Sequence, residues 1–89
     1  MTEAGKSDVT PGWRFVSIVV DGDTVSVGGV NPWGLRWRRL PDPPIVVAHP
    51  SWPSERHLMS VYELDSARGP VRFAAGEFSN CVWGFYVPD

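Results

Sequence analysis

The chain has a single cysteine, no excess of basic residues, no long apolar run, and no stretch of ten residues with a helical period. Each shortage excludes something. Cys81 has no second thiol to pair with, so no internal disulfide compensates for a small core, and a reducing compartment, the cytoplasm, is the expected setting. A net charge of -2 lacks the cationic surplus that drives non-specific nucleic-acid binding by counterion release, which makes nucleic acid an unexpected partner. No apolar run approaches the roughly 20 residues of a membrane-spanning helix. The opening "MTEAGKSDVTPG" is too polar for a secretory or transit peptide, and no membrane association is expected.

What is present is turn-forming and aromatic. Nine prolines, nine glycines and five tryptophans in 89 residues mean many turns, with much of the core area supplied by large rings. That composition predicts an all-β fold: a small antiparallel barrel or sandwich of six to seven strands built from hairpins. Residues 1–11 read as a flexible N-terminal tail, and 12–89 as a single β domain.

The clearest local pattern is "WRFVSIVV", then "DGD", then "TVSV": two β-branched runs about a turn of the kind that closes tight hairpins. This pairing would put Val16, Ile18 and Val20 on the core face with Val25 and Val27. Trp13, Phe15, Ser17 and Val19 would lie on the other face, which is apolar enough to pack on a second layer or another chain. After the loop "GGVNPWG", the run "LRWRRL" reads as a half-exposed strand with Leu35 and Trp37 on one side and Arg36 and Arg38 on the other. "PDPP" stops it, "IVVAH" suits a central strand, "HLMSVYEL" is strand-like, and "DSARGP" is a turn. The last segment predicts a hairpin about Ser79-Asn80, with Asn80 at positive φ. Gly76 would then face Trp83, Ala74 face Phe85 and Phe73 face Tyr86, so that rings cover small residues.

One loop carries a concentration of reactive side chains: "HPSWPSERH", residues 49–57. In a symmetric hairpin register His49 lies directly opposite His57, with β-carbons about 4.5 to 5.5 Å apart. Imidazoles that close could share a proton or titrate together. With Glu55 they are the candidate catalytic set: His49, Glu55, His57. A slip of one residue would send the histidines to opposite faces. A catalytic zinc needs three protein ligands, and Glu55 is the only nearby carboxylate, so no metal is expected. The plainer reading is preferred, in which Pro50 and Pro53 stiffen the turn and Trp52 packs on the sheet end.

A second cluster joins Arg36, Arg38 and Arg39, with Arg14 near, to Trp33 and Trp37. Arginine beside aromatics can stack on nucleobases or hold an acidic partner. Arginines on an exposed strand also block edge pairing and can bind Glu63, Asp65 or Glu77, and that reading leads. Cys81 has no adjacent base and reads as a small hydrophobe. "DGD" lacks the further oxygens of a calcium loop, "VGGV" lacks the helix and lysine of a phosphate loop, and no serine sits in a nucleophile-elbow pattern.

Together these features predict a non-enzymatic binding or assembly module with no cofactor, engaging a protein partner or a second copy of itself as a homodimer. Trp33, Arg36, Trp37, Arg38, Trp52 and Arg56 are the expected contact residues. The alternatives are a small acid-base enzyme or ligand-binding protein using His49, Glu55 and His57, and, ranked last, a single-stranded nucleic-acid binder on the Arg36–Arg39 strand.

Overall fold

A computed structural model describes residues 8–89 as an all-β chain without helix among those residues. Six strands follow in order: β1 (Trp13–Val20), β2 (Trp37–Arg39), β3 (Ile45–Ala48), β4 (Arg56–Ser66), β5 (Gly69–Ser79) and β6 (Val82–Pro88). All pairings are antiparallel, and they run β1-β6-β5-β4-β2 with β3 attached to β4. The path is open, with β1 at one end and β2 at the other, so the strand pairing does not close into a barrel.

The middle strands are covered on both faces. Along β5, Phe73 and Ala75 enter one core with Val19, Val25, Val27, Leu64 and Phe85, while Ala74 enters a second with Ile45, Val47, Met59, Val61 and Tyr86. Successive side chains of a strand alternate in direction, so a fully buried run such as Phe73–Ala75 requires a layer above and a layer below. The first layer is the loop 21–36, through Val25, Val27, Pro32 and Trp33. The second is the hairpin of β3 and the start of β4.

The expected hairpin of Trp13–Val20 with residues 24–27 does not form. β1 pairs instead with β6, and the tight turn lies further on, at Gly28-Gly29. Both glycines have positive φ (56° and 86°), as a primed two-residue turn demands, and Val27 and Val30 exchange backbone bonds of 2.8 and 3.0 Å across them. A β-carbon on Gly28 would lie 2.7 Å from Val71 Cγ1, so the close approach of the loop to β5 also needs that glycine. Val25 and Val27 are buried as expected, but through the loop.

A bulge at Val16 corrects the facing of β1. Phe15 opposes Tyr86 and Ser17 opposes Phe85, so Val16 is an extra residue, and every side chain after it changes face. Val16 and Val19 therefore pack on the first core, whereas Ile18 and Val20 are exposed. Trp13 packs on the second core and Phe15 meets Tyr86 edge-on.

β3 is an edge strand and not a central one, since among the described strands it pairs with β4 alone. Thr10 ties its outer edge: its N–H donates to Val46 O (3.0 Å) and its hydroxyl accepts from Val46 N–H (2.9 Å). Of the expected tail 1–11, residues 1–7 lie outside the described residues. The β4–β5 turn is where "DSARGP" predicts it, closed by the Ser66 hydroxyl, which donates to Gly69 O (2.7 Å) and accepts from Arg68 N–H (3.1 Å).

The β5–β6 hairpin turns one residue later than expected, at Asn80-Cys81, and Cys81 takes the positive φ (63°) in place of Asn80. The register moves accordingly. Gly76 faces Gly84, Ala74 faces Tyr86, Ala75 faces Phe85, and Glu77 faces Trp83, with a bulge at Phe78. A ring does cover a glycine, but it is Phe78 on Gly84, while the Met59 sulfur lies over Gly76. Two opposed glycines open a trough in the sheet, and Phe78 and Met59 fill it.

Candidate functional site

The trough positions the histidine loop. β3 and β4 pair Val47 with His57 and Ala48 with Arg56, and His49 N–H donates to Glu55 O at 3.1 Å. His49 therefore faces Glu55, and the expected direct His49–His57 pairing is two residues out of register. An offset of two preserves the face, since diagonal neighbours across a hairpin stay on the same side. The imidazole centroids lie 5.7 Å apart.

Phe78, thrown out of alternation by its bulge, holds both rings. Its centroid is 4.5 Å from that of His49 and 4.9 Å from that of His57. Trp52 also packs at a tilt on His49, at 4.7 Å. The loop is fastened from within: Glu55 N–H donates to Trp52 O at 2.9 Å, and His49 Nδ1 accepts from the N–H groups of Ser51 (3.0 Å) and Trp52 (3.3 Å). An imidazole nitrogen that accepts carries no proton, so neutral His49 is protonated on Nε2. Arg56 bonds to Pro53 O and pairs with Asp8 at 3.0 Å, which draws its guanidinium toward the N-terminal segment.

Beside this loop lies an open cavity of about 400 Å³, lined by Ile18, His49, Ser51, Trp52, Glu55, Phe78, Ser79 and Val82. Ile18, Phe78 and Val82 make its apolar wall. Trp52 stands at the rim with 61% of its surface exposed, while His49 is buried. Glu55 Oε1 lies 3.2 Å from His57 Nε2, but His57 is outside the lining. No group of three His, Cys, Asp or Glu side chains able to hold a metal ion occurs among the described residues.

The structure thus gathers His49, Trp52, Glu55 and His57 at one place. Ile18, Phe78, Ser79 and Val82, which complete the cavity, come from distant strands. Their one sequence signal is the pair of glycines inside strands, which marks close approach of another group.

The second cluster is arranged differently. Trp33 and Trp37 are half-buried against the first core, in edge contacts with Trp83 and Phe85 and, for Trp37, with Phe73. Trp37 Nε1 donates to Pro32 O at 2.9 Å. Arg38 binds Glu63 (2.7 Å) and Asp65 (3.0 Å), two of the carboxylates expected for it. Hydrogen bonding to Asp65 and then to Glu63 raises its guanidinium above the ordinary value. Arg36 and Arg39 are exposed without an ion pair among the described residues.

Comparison of the chain with protein-family models, with curated proteins and with solved structures finds no match.

Proposed function

We propose that this chain is a non-enzymatic binding module whose site is the cavity beside the histidine loop and whose contact residue is Trp52. The observation that carries this is the exposed Trp52 ring at the rim of an open cavity that sets polar groups beside an apolar wall. Ligand sites are typically cavities of about 300–1,000 Å³ with a few polar groups on an apolar wall. The other two contact tryptophans are half-buried against the first core, which leaves Trp52 as the most exposed anchor.

The acid-base reading draws support from the His49–His57 contact and the Glu55–His57 pair. It is weaker because His49 Nδ1 is engaged by two backbone N–H groups and His57 does not line the cavity. Nucleic-acid stacking on β2 lacks a free platform, because the Trp37 ring lies among Phe73, Phe85 and Tyr62. The free, exposed Cys81 suits a reducing compartment.

The test is a titration of 15N-labelled protein with 2-phenylethanol, a neutral aromatic probe. The expected shifts fall on the Trp52 indole and on the amides of Ser51, Ser79 and Val82. Shifts centred elsewhere, or none at tens of millimolar, refute the proposal.

Self-association is a second reading, favoured by β1, an end strand that leaves Phe15, Ile18 and Val20 exposed. It predicts a dimer in sedimentation that Val20→Lys disperses. A monomer at high concentration excludes it.

A further inference from the structure

The charge of the lining is one-sided. Among the described residues of the lining, Glu55 is the one carboxylate and His49 the one imidazole, and no arginine lines the cavity. Arg56, next in sequence, is turned to Asp8 and to the carbonyl of Pro53. Glu55 is bound through Oε1 to His57, and its other carboxylate oxygen has no hydrogen-bond partner among the described residues. Ser51 and Ser79 add hydroxyl oxygens, and Trp52 and Phe78 add ring faces. Asp21, bonded through its N–H to Cys81 O at 2.7 Å, places a second carboxylate at the same end of the sheet. A cation is attracted to an aromatic face by the ring quadrupole and to a carboxylate by charge, whereas an anion is repelled by both.

We propose that the cavity takes an organic ammonium ion, a protonated or quaternary amine carried on a small apolar body. The apolar body lies against Ile18, Phe78 and Val82. The cationic head lies between the Trp52 ring and the Glu55 carboxylate. A cavity of about 400 Å³ accommodates a ligand with one aromatic ring and a short amine arm. This rests on the cavity being the binding site, and the test separates the two.

Three probes of nearly equal size differ in charge: 2-phenylethylammonium, 2-phenylethanol and phenylacetate. Their dissociation constants are measured on the full chain by the shift of the Trp52 indole resonance. The expected order is ammonium tightest, about tenfold over the alcohol, with phenylacetate weaker than both. Glu55→Gln should bring the ammonium to the level of the alcohol, so that the ratio of their two dissociation constants falls to about one. Glu55 is exposed, and glutamine can still accept from His57, so the variant keeps its fold. Equal affinity for alcohol and ammonium, or an ammonium preference that survives Glu55→Gln, overturns the ligand class while the cavity stands. If none of the three moves a cavity resonance, the binding site falls with it.

Discussion

Replacing Gly84 by alanine adds one methyl group at the floor of the trough, where it would lie 2.3, 2.7 and 3.2 Å from three carbons of the Phe78 ring. Ordinary carbon contacts are about 3.5–4.0 Å, so the ring must retreat by about 1 Å or more. His49 and His57 pack against the same ring and limit the directions in which it can move. Overpacking of this kind costs about 1–3 kcal/mol. Gly84 has no positive φ, so alanine recovers roughly 0.5–1 kcal/mol of backbone entropy. The net expectation is a loss of about 1–2 kcal/mol, read by urea denaturation, and a fall in Tm of roughly 5–15 °C. The specific signature is a double-mutant cycle. In a Phe78→Ala or Phe78→Leu background the obstacle is gone, and Gly84→Ala should become neutral or stabilising, a coupling of about 1 kcal/mol or more. A neutral Gly84→Ala in the wild-type background would falsify the trough, and so would an equal loss in both backgrounds.

Tyr86 is buried and its hydroxyl has no hydrogen-bond partner among the described residues, and burial raises its phenol above the ordinary value of about 10. The folded state holds the proton longer than the unfolded chain, so stability is level below pH 10 and falls as pH rises through the folded value. Tyr86→Phe should flatten that alkaline loss in denaturation measured against pH, and at pH 7 be neutral or stabilising by up to about 1 kcal/mol; an unchanged alkaline slope refutes this. His49→Ala removes the acceptor for two backbone N–H groups and should cost about 1–3 kcal/mol, with faster amide exchange at Ser51 and Trp52. Unchanged exchange there, or 15N shifts that place the His49 proton on Nδ1, contradicts the loop geometry. Arg38→Ala should give a small destabilisation that shrinks as salt is raised, since its two carboxylate partners act across an exposed edge; a loss independent of salt would mean that Arg38 acts by packing.

The strands were largely legible in the sequence, and their partners were not. β-branched runs mark β1 and β3, and arginines alternate with the apolar residues around Trp37, because these patterns are local. Which strand lies beside which depends on contacts distant along the chain. "DGD" does turn the chain, with Asp23 N–H donating to Val20 O at 2.8 Å, but β6 offers β1 a partner seven residues long, whereas residues 24–27 end at two glycines. The one-residue errors have a common origin. Bulges at Val16 and Phe78 each insert a residue into one strand, and an inserted residue reverses the facing of all that follow. Neither bulge has a composition that announces it.

The same parity argument explains why the candidate residues lie together despite an incorrect register. The hairpin of β3 and β4 is displaced by two residues from the symmetric pairing of the histidines, and an even displacement leaves His49, Glu55 and His57 on one side of the sheet. What changes is the part each residue takes. With Glu55 opposite it, His49 is drawn into the turn, where its Nδ1 fastens the loop, so the side chain most suggestive of catalysis serves the backbone. His57 is set behind Glu55, against Phe78, and outside the cavity. The residues left lining the open volume are His49, Trp52, Glu55 and two serines over an apolar wall. Under the proposed reading, that set holds and orients the ligand, and the carboxylate favours a cation.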